Sequence, residues 1–250
     1  MGRIYISKTS LLKKIFTAIG AFAFFSSIQA AEVTQERLVR ISLWAATDVY
    51  PGYFDMDDVS EKEKATNKDE NSEVTYSVPV KKIKELAPFI VEGMVYGWKF
   101  DYTPSDKARG VKEYFEMEPV NTLSDAERDS IRFAHPWVEN DRLSAWIEYK
   151  RTENQIHIYN SWRSILHPRI QGVGYARLAE GFDGIKKACE EALKNAVREY
   201  ERTQIKTKPK EITGKVLLSE QPLIGVDAGR YKVLLDFFME SDKIVEYKTF

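Results

Sequence analysis

The longest amphipathic pattern in the chain lies between residues 183 and 200. Apolar side chains recur there at the i, i+3, i+4 spacing that places residues on one face of an α-helix. They are Ile185, Ala188, Cys189, Ala192, Leu193, Ala196, Val197 and Tyr200. Charged and amide side chains fill the opposite face, and Asp183 is suited to cap the first turn. We therefore predict one long helix with a buried stripe.

A second helical stripe follows Pro79, which suits the first turn of a helix. Its apolar members are Val80, Ile83, Leu86, Ala87, Ile90 and Val91. Pro88 lies inside this pattern and is expected to bend or split the helix, because proline lacks a backbone N–H. Further along the chain, Ser124 and Glu127 have the spacing of a capping box at a helix start.

Alternation of apolar and polar residues predicts strands elsewhere. Residues 39–45 alternate, which favours a strand with a helix as the alternative. Residues 93–104 are rich in aromatic and β-branched side chains, and residues 131–178 are the most strand-like part of the chain. Within that part we predict a meander of strands over residues 142–151, 155–162 and 169–178. Ile156 and Ile158 would share one face of the middle strand.

Two strands are predicted near the C-terminus, over residues 211–219 and 229–240, and residues 221–229 can add part of another. The predicted fold is therefore α+β. An antiparallel sheet, made of the meander and the C-terminal strand pair, would be covered by the one long amphipathic helix.

Residues 1–30 have the order of a secretory signal peptide. Basic residues precede an apolar run over residues 15–25, and small residues follow. Cleavage after Ala30 is expected, with an uncleaved anchor as the alternative. The apolar run is too short for a comfortable membrane span, and no cysteine stands near its end for acylation. We expect a soluble periplasmic protein without a stable membrane span, or a secreted one if the organism has a single membrane.

The rest of the chain divides by composition. Residues 31–54 carry the first strand pattern, and residues 55–75 are so charged and so poor in large apolar residues that a loop or linker is expected. Residues 76–250 form the predicted α+β domain, with a division into subdomains 76–165 and 166–250 left open.

The formal net charge of −1 becomes about −5 once the four basic residues of the leader are removed. That balance argues against nucleic acid as a partner, since such binding depends on clustered lysine and arginine. Cys189 is the single cysteine, so no intramolecular disulfide can form.

The glycines around residues 172–184 invite a phosphate-binding interpretation. Gly172 and Gly174 lie inside a strand pattern, however, and Arg177 stands where a dinucleotide fingerprint needs its third glycine. Close packing of a helix on a strand explains these glycines better. Cys189 lies on the apolar helical stripe and is interpreted as a small buried hydrophobe rather than a nucleophile.

No spacing of histidines or carboxylates indicates a catalytic or metal site. His135, His157 and His167 form none of the local pairs that bind zinc. Neither a phosphate-binding loop nor a serine nucleophile elbow is present. We therefore predict no catalytic residues, no metal ligands and no cofactor.

Aromatic and basic residues interleave between residues 135 and 170, and this is the one binding signal in the sequence. If they share an open sheet face, they would form a patch for a protein, glycan or peptidoglycan partner. The alternative is that they fill the sheet core or form cross-strand pairs. The candidate patch consists of Trp137, Trp146, Tyr159, Trp162, Arg163 and Arg169.

Residues 170–240 resemble a module of bacterial envelope lipoproteins and periplasmic flagellar accessory proteins. The shared pattern is GVGYARL, an alanine-spaced helix with Ala188, Ala192 and Ala196, and the strands ITGKVLL and RYKVLLDFF. This chain departs from the lipoproteins because no cysteine lies near the end of its leader, where lipoproteins are acylated. The resemblance implies assembly or scaffolding in the periplasm and implies no reaction.

Three functions remain open at this point. The first is a non-enzymatic binding or assembly protein whose partners are envelope or flagellar proteins, with peptidoglycan as a further possibility. The second is a periplasmic hydrolase that uses a histidine and a carboxylate. The third is a glycan- or small-ligand-binding module, which would stack tryptophans in a groove.

Overall fold

The structure is a computed structural model that describes residues 36–47, 71–205 and 207–247. The predicted signal peptide and residues 55–70 of the predicted loop lie outside the described residues. Within those ranges the strands are β1 (Leu38–Ala46), β2 (Trp98–Thr103), β3 (Tyr114–Pro119), β4 (Arg132–Glu139), β5 (Arg142–Lys150), β6 (Arg169–Arg177), β7 (Pro209–Leu218), β8 (Leu223–Asp227) and β9 (Arg230–Glu246). The α-helices are α1 (Asn71–Val95), α2 (Asp125–Asp129), α3 (Glu153–Trp162) and α4 (Gly181–Gln204).

All strand pairs among these elements are antiparallel, and the strands form two sheets. The smaller sheet has the order β1-β5-β4, and the larger has the order β3-β2-β7-β9-β6, with β8 also paired to β9. The predicted α+β class with antiparallel strands and one long covering helix is confirmed. The predicted meander is divided, since β5 belongs to the smaller sheet and β6 to the larger.

Helix α4 covers the larger sheet by packing on β6 and β9. All the apolar residues of its predicted stripe except Tyr200 are buried. The helix begins at Gly181 rather than after Asp183, which lies in its first turn. Burying a helical face of this width against a sheet is the main way that such a helix is stabilised in a protein.

Helix α1 lies between the two sheets and contacts β1, β5 and β7. It begins at Asn71, earlier than predicted, and it runs through Pro79 and Pro88 without being split. Its buried face on both sides of Pro88, including Ala87 and Val91, is held by the sheets. Tertiary packing therefore outweighs the lost backbone hydrogen bond at the proline.

One core cluster joins residues of both sheets with α1 and α4. The open boundary near residue 165 passes through the larger sheet, since β2 and β3 precede it and β6, β7, β8 and β9 follow it. The core is thus continuous across that boundary.

The predicted strand over residues 155–162 is wrong, because these residues form helix α3. Thr152 and Gln155 build a capping box, in which the Thr152 side chain accepts from the Gln155 N–H and the Gln155 side chain accepts from the Thr152 N–H. These bonds satisfy N–H groups that have no partner within the helix. The spacing of Ile156 and Ile158 imitated a strand, although Ile158 is exposed on the helix.

Candidate functional site: an arginine-lined groove

A cavity of about 560 Å³ opens where the smaller sheet, the end of α1, helix α3 and the loop after β7 meet. Its volume lies within the range of small-molecule and peptide-binding pockets. Four arginines line it, together with two glutamates and two large aromatic residues. We call it the arginine groove; its lining residues are Glu36, Leu38, Val39, Arg40, Met94, Trp146, Arg151, Tyr159, Arg163, Arg169, Ser219, Glu220 and Gln221.

Four of the six residues of the predicted patch line the arginine groove: Trp146, Tyr159, Arg163 and Arg169. They come from β5, α3, the C-terminal cap of α3 and β6, so the fold collects them from separate elements. Trp137 lies beside the groove, with its ring centroid 6.0 Å from that of Trp146.

Trp162 does not belong to the arginine groove. It is buried in a small apolar cluster with Leu217 and Phe238. The His167 ring lies 4.6 Å from the Trp162 ring, and both residues line a neighbouring cavity of about 430 Å³. Trp162 therefore fills a core position, as in the alternative interpretation of the aromatic residues, and does not contribute to the groove.

Two arginines at the groove are paired with glutamates that also line it. The Arg163 Nη1 atom lies 2.8 Å from Glu36 Oε1, and the Arg169 Nη1 atom lies 3.7 Å from Glu220 Oε1. Arg169 and Glu220 are both largely exposed, so their pair contributes little to stability. Such a pair can exchange its partner when another charged group enters.

Arg40 is paired outside the groove lining, with its Nε atom 3.3 Å from Glu148 Oε1. Its guanidinium carbon also lies 4.5 Å from the centre of the Trp146 ring. The Arg40 guanidinium therefore lies over the face of the Trp146 ring, as in the cation–π pairs found at protein surfaces.

Arg151 differs from the other three arginines, because it is only 5% exposed. Its Nη1 and Nη2 atoms donate to the carbonyl oxygens of Glu36 and Met94, each at 3.0 Å. Its guanidinium carbon lies 4.2 Å from the centre of the Tyr159 ring. Burial lowers the pKa of Arg151, which means that the site penalises the charge.

No carboxylate of the described residues lies within ion-pairing distance of Arg151. The buried Arg151 Nε atom also has no hydrogen-bond acceptor there. Buried charges in proteins are almost always paired. The sequence places Arg151 among the interleaved basic residues, but nothing in the sequence distinguishes it as the buried one.

Ser219 is a second residue of the groove with an unsatisfied polar atom. Its side chain follows β7 and is 8% exposed, and its buried Oγ atom has no hydrogen-bond partner in the described part of the chain. Its backbone N–H donates to the Asp236 carbonyl, which fixes the position of the residue. A lone serine at a strand end carries no signal of function in the sequence.

The remaining candidate residues lie elsewhere. His135 is on β4 in a left-handed conformation and His157 is exposed on α3. Among the described residues, no group of three or more histidine, cysteine, aspartate or glutamate side chains could hold a metal ion. Cys189 is fully buried on α4, and burial raises the pKa of its thiol far above the ordinary value.

The glycines of β6 serve the packing predicted for them. A Cβ atom on Gly172 or Gly174 would overlap backbone atoms of α4. A Cβ atom on Gly184, in the first turn of α4, would lie 2.7 Å from the carbonyl oxygen of Arg177. The glycines thus allow the helix to lie directly on the strand.

The fold and the groove define an α+β protein with one candidate binding site and, over the residues that the structure covers, no helix long and apolar enough to cross a membrane. The chain belongs to a protein family whose model matches residues 26–247. It is similar to a protein of Treponema pallidum (strain Nichols) described only as an uncharacterized protein. The two are 27% identical over 213 residues, which cover 85% of this chain and 83% of the relative. No solved structure matches the chain.

Proposed function

We propose that this protein is an exported, non-enzymatic binding or assembly protein of the bacterial cell envelope or the periplasmic flagellar apparatus, and that its partner binds in the arginine groove. One observation carries the proposal: Trp146, Tyr159, Arg163 and Arg169 come from separate elements and line a single open cavity. Tryptophan, tyrosine and arginine are the residue types that contribute most to binding energy at interfaces.

The charges of the groove support a binding role. Arg163 and Arg169 are held at the mouth by glutamates, and an incoming partner can replace those contacts. Exposed charges of this kind steer association and select partners more than they stabilise the fold. Arg40, Arg163 and Arg169 are each paired with a glutamate, whereas Arg151 makes no ion pair with the described residues, and this favours an acidic partner segment.

The location in the proposal comes from the sequence. The signal peptide over residues 1–30 directs export, and the resemblance of residues 170–240 to envelope modules indicates the same compartment. In an organism with a single membrane the same leader would lead to secretion.

Photo-crosslinking in cells tests the partner and the site together. Gln221 is exposed and lines the groove, so a photoreactive amino acid there should capture a discrete envelope or flagellar protein. Glu199 is exposed on α4 and does not line the groove, which makes the same substitution there a matched control. Capture at position 199 but not at position 221 would contradict the proposal.

A small-ligand or glycan site is the second candidate, and the pair of Trp137 and Trp146 favours it. Their rings are 6.0 Å apart at the edge of a groove of pocket size, where a sugar ring could stack. Soluble peptidoglycan fragments should then quench tryptophan fluorescence, and Trp146→Ala should remove the response. Saturable quenching that survives this substitution would exclude the groove as the glycan site.

A further inference from the structure

We infer that the arginine groove recognises a carboxylate group through Arg151 and Ser219. This inference rests on the proposed function, since it names the chemistry of the group that the groove binds. Its basis is that two neighbouring elements each place a buried, unsatisfied hydrogen-bond donor at the same cavity.

Arg151 has an N–H donor that no acceptor of the described chain satisfies. A guanidinium has five N–H donors in a planar fork that matches a carboxylate. Two of them donate to the carbonyl oxygens of Glu36 and Met94, and the Nε–H has no acceptor in the described chain. The neighbouring carbonyls supply partial charges only, and Arg151 makes no ion pair with the described residues. The Glu36 carboxylate acts on it only at longer range and is already paired with Arg163.

Ser219 supplies a second, independent hydrogen-bonding group without a partner in the described chain. A hydroxyl can donate one hydrogen bond, and leaving it unused at a buried position is unfavourable. The Ser219 side chain lines the cavity with Arg151, yet it belongs to the loop after β7, in the other sheet. Two unsatisfied donors on residues that line one cavity call for an acceptor within it.

The rim of the groove decides which acceptor fits. Glu36 and Glu220 also line the cavity, and they already neutralise Arg163 and Arg169. A singly charged carboxylate would give an ion-pair partner to Arg151, the one arginine of the lining that makes no ion pair with the described residues. A doubly charged phosphate would add a negative charge close to both glutamates, which is unfavourable at short range.

The aromatic residues define the rest of the ligand. The Tyr159 ring faces the Arg151 guanidinium, and Trp146 lines the same cavity. A carboxylate that carries an apolar or aromatic group could place that group against these rings. The C-terminus of a peptide and a small aryl acid share this chemistry.

Arg151 also has a structural role, which the test must separate from binding. Met94 lies in the last turn of α1, so the bond to its carbonyl caps the C-terminal end of that helix. Replacing Arg151 therefore perturbs the fold as well as the groove. Ser219 makes no side-chain hydrogen bond in the described chain, which makes it the cleaner position to change.

Titration of the purified chain with three matched probes tests the carboxylate. The probes are N-acetyl-phenylalanine, its neutral amide and phenyl phosphate, with tryptophan fluorescence and calorimetry as readouts. We expect the acid to bind at least tenfold more tightly than the amide and the phosphate, because a hydrogen-bonded charge in a buried site is worth about this much. A peptide ending in phenylalanine and 3-phenylpropionate then distinguish a chain terminus from a small acid.

Variants locate the site. Ser219→Ala should weaken binding of the acid about three- to tenfold and leave binding of the amide unchanged. Ser164→Ala removes the same hydroxyl from a residue that follows Arg163 in sequence but is not part of the groove lining, and it should change neither. Arg151→Lys should lose tenfold or more if it folds, because an ammonium cannot reproduce the planar fork.

The outcomes separate this inference from the proposed function. Equal affinity for the acid and the amide would overturn the carboxylate assignment. Absence of acid binding together with a partner captured at position 221 would overturn it too, while the proposed function stands. Tight acid binding lost in Ser219→Ala, with no partner captured in cells, would support the carboxylate site and contradict the assembly role.

Discussion

Gly174 on β6 lies directly beneath the Ala188 carbonyl oxygen of α4, so close that a Cβ atom at Gly174 would overlap it. The two residues bring the covering helix and the larger sheet into backbone contact. A dinucleotide interpretation of these glycines would need them in a turn that faces a ligand, whereas they face a helix. Their absent side chains are a packing requirement.

Gly174→Ala should destabilise the protein strongly, because neither backbone segment can move without separating α4 from β6. Overpacking of a core costs about 1 to 3 kcal/mol and more where the backbone resists, so we expect about 3 kcal/mol or a failure to fold. Gly225→Ala in β8 is the control, since nothing there lies closer than 4.0 Å to the added atom. Urea unfolding of both variants measures the difference, and equal stability would contradict the packing role.

Cys189 should be inert in the folded protein. It is 0% exposed and burial raises the pKa of its thiol, so the reactive thiolate is scarce. An aromatic disulfide reagent at pH 8 should label it only after urea is added. Cys189→Ala should cost about 1 to 2 kcal/mol of unfolding free energy through lost buried volume and leave binding intact. Rapid labelling of the native chain, or lost binding in a folded variant, would contradict this.

Glu127 should make the stability of the protein depend on pH. Partial burial by itself raises the pKa of Glu127, but hydrogen bonds from Tyr96, Ser124 and Gln155 outweigh it and the pKa lies below the ordinary value. A lowered folded-state pKa gives stability that is present above the unfolded pKa of about 4.3 and is lost as the pH falls through the folded pKa.

The melting temperature should therefore fall as the pH drops below about 5, and Glu127→Gln should flatten part of that fall. The variant should also be less stable near neutral pH by about 1 kcal/mol, because the capping box of α2 loses its carboxylate. Asp129→Asn, exposed on the same helix, is the control. An unchanged pH profile in Glu127→Gln would rule out the network as its source.

Trp162 and Trp146 should separate stability from binding. Trp162 is 8% exposed in a cluster with Leu217 and Phe238, so Trp162→Ala should cost about 3 to 5 kcal/mol. Trp146 is half-buried at the groove, so Trp146→Ala should cost much less and reduce partner capture at position 221. Urea unfolding and crosslinking yield measure the two effects. A larger loss of stability in Trp146→Ala than in Trp162→Ala would contradict these assignments.

Local patterns in the sequence predicted those helices and strands in which the buried residues recur at the regular spacing of a helix or a strand. The apolar stripe of α4 and the alternation in β1, β5 and β9 report which face of each element avoids water, and this information is local. The capping box at Ser124 is local as well, and the structure confirms it. The α+β class follows from these elements together. Strand β3, short and largely exposed, carries too little burial to be predicted.

Only the tertiary structure decided what each face meets. The apolar face of a strand can be buried equally well against several other elements. Periodicity therefore cannot predict how the strands divide between two sheets. The sequence of helix α3 predicts a strand because Ile156 and Ile158 imitate alternation, while the buried Gln155 and Trp162 define its true inner face. The arginine groove joins Glu36, Arg151 and Ser219 across more than 180 residues of chain. Their proximity, and the unsatisfied donors it creates, come from the packing of the two sheets around α1, which the sequence specifies only through the complete fold.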